Sequence, residues 1–228
     1  AQRAGARMMA IVAEGERGRV YLPPTPEMET IAREAQPEWR PEQEMNQESS
    51  NLVSGRGYGV HYWHELFTER QLVALTTFSD LVQVARECVQ RDALATGLPD
   101  DGKPLAAGGT GATAYADAVG VYLGFGVDKL SDRHSTLSRW DPTPTASGII
   151  NTFSRQALPM SWDYPEGNPF SEASGNFDGG VGWIAKVIDR SLPASLGGAA
   201  STADASVQSL SSGKVVSTDP PYYDNIGY

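Results

Sequence analysis

Residues 68–75 read TERQLVAL and open the longest helical pattern in the chain. Thr68 stands three residues before Gln71, which is the spacing of a capping box at the start of a helix. Apolar side chains then recur at helical intervals, at Leu72, Leu75, Leu81, Val82, Ala85 and Val89. The pattern predicts a helix from Thr68 to about residue 95 and makes the fold helix-rich.

A second helical pattern occupies residues 112–132, after a loop rich in Gly, Pro and Asp at residues 97–111. Its predicted apolar face contains Tyr115, Ala118, Val119, Tyr122, Leu123, Gly126 and Leu130. The chain offers no other apolar stripe of comparable length. We therefore expect the two helices to pack against each other and to form most of the core.

Shorter elements precede these helices. Residues 8–13 and 19–22 flank a Gly-containing turn and predict a β-hairpin. Thr25 can open a short helix that ends before Pro37. Residues 37–59 are polar and are interpreted as a loop or linker.

Toward the C-terminus, residues 179–191 predict another helix. Residues 214–218, KVVST, are a short apolar run between turn residues and predict a buried strand. The predicted fold class is therefore α/β and helix-rich, with three regions. These are a hairpin, short helix and polar linker at 1–60, a helical insert or recognition region at 61–198, and a linker, buried strand and following loop at 199–228.

The composition limits the class of protein. The 228 residues carry 18 Lys and Arg against 28 Asp and Glu, a formal net charge of −10, which excludes nucleic-acid binding through a surface that is basic as a whole. The single cysteine, Cys88, excludes an internal disulfide and a cysteine-rich zinc site. No apolar run approaches the roughly 18 residues of a membrane span. We expect a cytoplasmic chain with no membrane partner and no metal.

Residues 219–225, DPPYYDN, are the most informative motif. The motif follows the predicted buried strand, so it would lie at the carboxyl edge of a sheet, where α/β folds hold ligands. It offers an acidic residue, a turn stiffened by two prolines and an aromatic ring. An enzyme that methylates an exocyclic amine needs two acceptors for the NH2 group, and the Asp219 carboxylate and the Pro220 carbonyl can provide them. Tyr222 can stack on a flipped base. The alternative is an ordinary surface turn.

The chain also resembles a known family over nearly its whole length. Asp219, Pro220, Pro221 and Tyr222 resemble the catalytic motif of S-adenosylmethionine-dependent amino-methyltransferases. Longer strings are similar to adenine-specific DNA methylases that carry a zinc ribbon, at residues 58–59, 66–72, 112–118, 155–160 and 219–225.

The resemblance implies a partial Rossmann-like methyltransferase fold with a long helical insert, and S-adenosylmethionine as cofactor. It implies methyl transfer to adenine N6 of DNA with a flipped target base, with Asp219, Pro220, Pro221 and Tyr222 as catalytic residues. It also implies a remaining polypeptide that includes a zinc ribbon, and partners in restriction or phage defence. Cytosine N4, an RNA base and a protein glutamine stay open as substrates, as does a non-catalytic DNA-recognition or scaffolding module.

The cofactor loop of such enzymes is missing, because no Phe-x-Gly-x-Gly loop follows a strand in this chain. The cofactor-binding residues are therefore unassigned. Residues 108–111, GGTG, follow no apolar strand and are interpreted as a loop leading into the second helix, whereas Gly124 and Gly126 are interpreted as sites of close helix packing. We expect the chain to be a piece of a longer polypeptide that carries the loop elsewhere.

Local contacts to nucleic acid are predicted for Tyr222 and Tyr223, and for Arg70 and Arg155. A wider set of basic and aromatic residues could form the same surface or could have structural roles, namely Arg133, Arg139, Trp63, Trp140, Trp162 and Tyr164. Two histidines, His61 and His64, stand close together, but their spacing needs a helix and a third ligand to bind a metal.

Overall fold

The structure is a computed structural model that describes residues 5–47, 59–143, 148–153, 158, 161–191 and 201–219. Its contacts divide the chain into two compact units, Ala1–Arg190 and Ser191–Tyr228. The predicted region boundary after residue 60 lies inside the first unit. None of the helices in the described part of the chain has the length and apolar character that a membrane crossing needs.

A β-hairpin and a short helix open the first unit. Strand β1 (Ile11–Gly15) pairs antiparallel with β2 (Gly18–Leu22). Gly18, which follows the turn, has a φ of 123°, a value that favours glycine. Helix α1 (Pro26–Glu34) begins after Thr25, whose hydroxyl caps its first turn. The predictions of a hairpin and of a helix opened by Thr25 are confirmed.

The polar segment that follows α1 packs against the rest of the unit. The Trp39 indole N–H donates to the Asp80 carboxylate at 2.9 Å. Met45 is buried in one cluster with Leu66 and Leu158. Residues 37–47 therefore form no regular helix, as predicted, but they belong to the packed unit and do not act as a loose linker.

Helix α2 (Glu69–Ala95) is the longest element, and its prediction is confirmed. The Thr68 hydroxyl accepts the Gln71 N–H at 3.2 Å, and the Gln71 side-chain carbonyl accepts the Thr68 N–H at 2.9 Å. Both halves of the capping box are therefore formed. The predicted apolar stripe is buried at Leu72, Leu75 and Val82, but its assignment of Leu81 is wrong, since that side chain is exposed.

Helix α3 (Ala112–Ser131) packs along α2 in the most extensive contact between two elements of the described structure. This confirms the predicted helix pair. The predicted apolar face is wrong in part, since Tyr115 and Tyr122 are exposed, while Ala116 and Gly120 are buried. Small side chains let two helices approach closely, so the large aromatic residues of α3 lie outside the contact.

Helix α4 (Phe177–Arg190) packs on the C-terminal half of α3 and confirms the helix predicted at 179–191. A Cβ at Gly126 would lie 3.3 Å from both Phe177 and Val181, so the interpretation of Gly126 as a packing residue is confirmed. Nothing lies within 4 Å of a Cβ at Gly124, where that interpretation is wrong.

The sheets are small. Strands β3 (Arg139–Trp140) and β4 (Ile149–Ile150) form a second antiparallel pair. The fold is therefore helix-rich with two small antiparallel sheets, and the part of the chain that the structure describes contains no parallel sheet.

The predicted buried strand at residues 214–218 is wrong. These residues form no strand and all of them are exposed, Val215 completely. Two valines form a buried strand only where neighbouring strands pair with them and cover them. No strand is described within residues 201–219 to do so.

Candidate functional site

The predicted catalytic motif begins at the end of the described chain. Asp219 is exposed, belongs to the second unit and follows residues without regular secondary structure. The other predicted motif and nucleic-acid residues lie outside the described residues, namely Pro220, Pro221, Tyr222, Tyr223 and Arg155. The structure thus gives Asp219 a surface position.

Arg70, the remaining predicted nucleic-acid residue, lies in the first turn of α2. Its Nε is 3.3 Å from Glu166 Oε2. The Thr68 hydroxyl donates to the other oxygen, Glu166 Oε1, at 2.7 Å. The side chains of Arg70 and Glu166 are 44% and 28% exposed. One carboxylate therefore bonds two donors at the start of the helix, at the edge of solvent.

The same helix start carries a second ion pair and one unsatisfied amide. Arg40 Nη1 and Nη2 lie 3.3 and 3.2 Å from the two oxygens of Glu69. Gln71 is 2% exposed, and its Nε2 has no hydrogen-bond partner in the structure. A helix N-terminus attracts anions because its first N–H groups point outward. The start of α2 therefore combines a helix N-terminus with two arginines, each neutralised by a glutamate.

Glu166 is held in position by a segment that passes over His134. A Cβ on Gly167 would lie 2.9 Å from both His134 Cε1 and Ile149 Cδ1, so glycine is needed for the close passage. The His134 Nε2 lies 2.7 Å from the Gly175 carbonyl oxygen. Burial lowers the pKa of His134, while the Gly175 bond and the Glu166 charge act to raise it. The neutral imidazole donates to Gly175 and fixes the segment.

The glycine loop before α3 is closed by its own side chains. Asp100 accepts the Thr113 N–H at 3.1 Å and the Thr113 hydroxyl at 2.7 Å, which caps the helix. A Cβ at Gly109 would collide with the Lys103 carbonyl, and one at Gly111 would lie 2.6 Å from Asp100 Cα. These contacts confirm the interpretation of residues 108–111 as a loop leading into the helix.

Several residues of the wider basic and aromatic set have structural roles. Arg133 donates to a backbone carbonyl at 2.5 Å. The Trp140 ring lies 5.2 Å from the Arg19 guanidinium, and its indole N–H donates to the Tyr21 hydroxyl at 3.2 Å. Trp162, in contrast, is 82% exposed. Trp63 is also exposed, at 37%, so these two aromatic residues have a surface available for stacking.

The segment that contains His61 and His64 is held by hydrogen bonds to its backbone and to one imidazole. Glu65, which lies beside them, accepts the backbone N–H groups of His61 and Tyr62 at 2.6 and 3.1 Å. His64 Nδ1 is 2.7 Å from a carbonyl oxygen. Among the described residues, no group of three or more metal-ligating side chains comes together. Cys88 is half-buried.

Sequence reasoning missed Glu166. It lies 98 residues after Thr68 in the chain, and its own neighbours, Pro165 and Gly167, form no motif. A single surface glutamate carries no local signal that it bonds an arginine elsewhere in the chain. The carboxylate that covers Arg70 is visible only in the fold.

Comparisons of the chain with protein-family models, with curated proteins and with solved structures found no match.

Proposed function

We propose that the chain is part of an S-adenosylmethionine-dependent DNA amino-methyltransferase that acts on adenine N6. The observation that carries this proposal is the DPPY sequence at residues 219–222. The exposed position of Asp219 supports it, because a carboxylate that binds a flipped base must be accessible. The proposal also includes a Rossmann-like sheet, because an enzyme of this kind needs one to bind its cofactor.

In this proposal the motif holds the target amine. The Asp219 carboxylate and the Pro220 carbonyl accept the two N–H groups of adenine, which directs the nitrogen lone pair away from the protein and toward the methyl donor. Tyr222 stacks on the base and replaces the stacking that the base loses when it leaves the duplex. The two acceptors also stabilise the positive charge that develops on the nitrogen during transfer.

In this proposal S-adenosylmethionine supplies the methyl group, and its cradle is not assigned to the glycine-rich segments of this chain. Gly109 and Gly111 pack against their own loop, and the following helix start is occupied by Asp100. Gly126 packs against α4. The proposal therefore assigns the cofactor loop to another part of the enzyme. We expect this chain alone not to bind S-adenosylmethionine tightly. A dissociation constant in the micromolar range or below, measured by calorimetric titration, would show that the cofactor loop lies in this chain.

The test is identification of the methylated product. The intact enzyme that contains this chain is incubated with labelled S-adenosylmethionine and, in separate reactions, DNA, RNA and protein. Digestion and mass spectrometry of the DNA are expected to yield N6-methyladenine. Detection of N4-methylcytosine, a methylated RNA base or methylglutamine instead would identify cytosine, RNA or protein as the substrate. DNA binding without any methylated product would favour a recognition module.

A further inference from the structure

We propose that Glu166 is an internal competitor of nucleic-acid phosphate at Thr68 and Arg70, so that the contact holds this surface in a low-affinity state. This inference rests on the proposed function, because it takes Arg70 to be a nucleic-acid contact. It goes beyond that function by naming a contact that limits binding.

The geometry of the contact is that of an anion held by two donors. Glu166 Oε1 accepts the Thr68 hydroxyl at 2.7 Å, and Glu166 Oε2 lies 3.3 Å from Arg70 Nε. A phosphate group offers the same arrangement of two oxygens, with charge-assisted bonds to arginine and to a hydroxyl. The carboxylate therefore occupies the place that a backbone phosphate would take.

The contact is weak enough to be displaced. Arg70 is 44% exposed and Glu166 28% exposed, so water and salt screen their attraction. Exposed ion pairs of this kind contribute little to stability. A phosphate at the start of α2 would also meet the partial positive charge of the helix N-terminus. Nucleic acid can therefore replace Glu166 without unfolding the surrounding structure.

Glu166 is nevertheless held close to Thr68 and Arg70 by the segment that carries it. Gly167, next to Glu166, lies against His134, and Gly175 further along accepts a hydrogen bond from the same imidazole. The segment 166–175 is thus anchored to the end of α3. A tethered group competes at a high effective concentration, so even a weak contact lowers the affinity for an external anion.

The net charge of the chain makes its affinity for nucleic acid sensitive to this contact. With a net charge of −10, the surface as a whole repels nucleic acid. Affinity must then come from a few local cations, and neutralising one of them has a measurable effect. Arg40 at the same helix start is paired with Glu69 in a similar way.

The test compares Glu166→Gln with Glu172→Gln. The glutamine keeps an acceptor oxygen for Thr68 but removes the charge that neutralises Arg70. Glu172 is an exposed residue of the same segment, and it forms none of the ion pairs found among the described residues. It therefore controls for the loss of one negative charge. Binding of the full chain to a labelled DNA duplex is measured by fluorescence anisotropy at several salt concentrations.

We expect Glu166→Gln to bind DNA about 2–5-fold more tightly than wild type and Glu172→Gln to change affinity less. The slope of log affinity against log salt should become more negative by about 0.9, the value for one additional phosphate contact. Both changes should disappear when Arg70→Ala is added. Equal effects of the two glutamine variants, an effect that survives Arg70→Ala, or no DNA binding by any variant would overturn the proposal.

These outcomes are separate from those of the methylation assay. If Glu166→Gln raises DNA affinity in an Arg70-dependent way but no methylated adenine is found, the competition by Glu166 is supported and the methyltransferase activity is rejected. If adenine methylation depends on Asp219 but Glu166→Gln does not change DNA binding, the methyltransferase activity is supported and the competition by Glu166 is rejected.

Discussion

Asp100 closes the start of α3 by bonding both polar groups of Thr113, its N–H at 3.1 Å and its hydroxyl at 2.7 Å. The same carboxylate accepts the Gly102 N–H at 3.2 Å. One side chain therefore joins the loop to the helix. The bonds from the Thr113 hydroxyl and N–H lower the pKa of Asp100.

Replacing Asp100 is expected to lower the thermal stability of the chain. Asp100→Ala removes both bonds to Thr113, whereas Asp100→Asn keeps one acceptor oxygen and should have a smaller effect on Tm. Because the folded-state pKa is lowered, the stabilisation is present at neutral pH and is lost as the pH falls through that pKa. The difference in Tm between wild type and Asp100→Ala should therefore shrink in acid. Identical melting of all three proteins at neutral pH would refute the cap.

Gly124 and Gly126 offer two contrasting substitutions within α3. Gly124→Ala should raise the free energy of unfolding by about 0.5–1 kcal/mol, because alanine loses less backbone entropy in a helix and nothing lies within 4 Å of its new Cβ. Gly126→Leu should lower it by about 1–3 kcal/mol, because the new side chain overpacks the contact with Phe177 and Val181. Urea unfolding measures both. A stable Gly126→Leu protein would contradict the packing of α3 on α4.

Protonation of His134 is expected to weaken the fold. Burial lowers its pKa below the ordinary value of 6.5, so the folded state favours the neutral imidazole. Stability should be full above the unfolded-state pKa and should decline as the pH falls below it. Glu166 opposes this effect, because its charge favours the protonated form.

The measurement is the urea midpoint as a function of pH, from about 7.5 to about 5, a range that spans the titration of histidine. His134→Gln does not titrate and keeps a donor for the Gly175 carbonyl, so it serves as the control. Wild type should lose more stability than His134→Gln across this range. Parallel pH profiles of the two proteins would show that His134 is not responsible.

The helices could be predicted from the sequence because their signals are local. The spacing of Thr68 and Gln71 located the start of α2, and the hydroxyl of Thr25 located α1. The buried face of α3 was misjudged, because periodicity favours large apolar residues such as Tyr122. The contact with α2 is made where small residues such as Gly120 allow close approach.

The wrong strand prediction and the unforeseen pairing of Arg70 have a common physical origin, which is dependence on distant residues. The strand predicted at residues 214–218 needs neighbouring strands, and none is described around it. The pairing of Arg70 with Glu166 joins residues far apart in the chain. Neither relationship leaves a pattern in the local sequence, whereas the motif that begins at Asp219 is local and remains a prediction of function.

Tyr222 should contribute its ring and not its hydroxyl. In the intact enzyme, Tyr222→Phe keeps the stacking surface and should change methylation little. Tyr222→Ala should weaken capture of the flipped base by about 1–3 kcal/mol. Affinity for DNA that contains a mismatched target adenine measures this difference. A structural turn would tolerate alanine and phenylalanine equally well, and that result would remove Tyr222 from the site.

The most direct test of the proposed methyl transfer is its single-turnover rate in the intact enzyme that carries Asp219→Ala. Loss of the carboxylate removes one of the two acceptors that hold the adenine amino group, so the rate should fall on the order of 10²-fold or more, while affinity for S-adenosylmethionine changes little. The matched control is Asp204→Ala, which removes another exposed carboxylate of the same unit and should leave the rate unchanged. Near wild-type methylation by Asp219→Ala would contradict the proposed role of Asp219 and leave residues 219–222 as a surface turn.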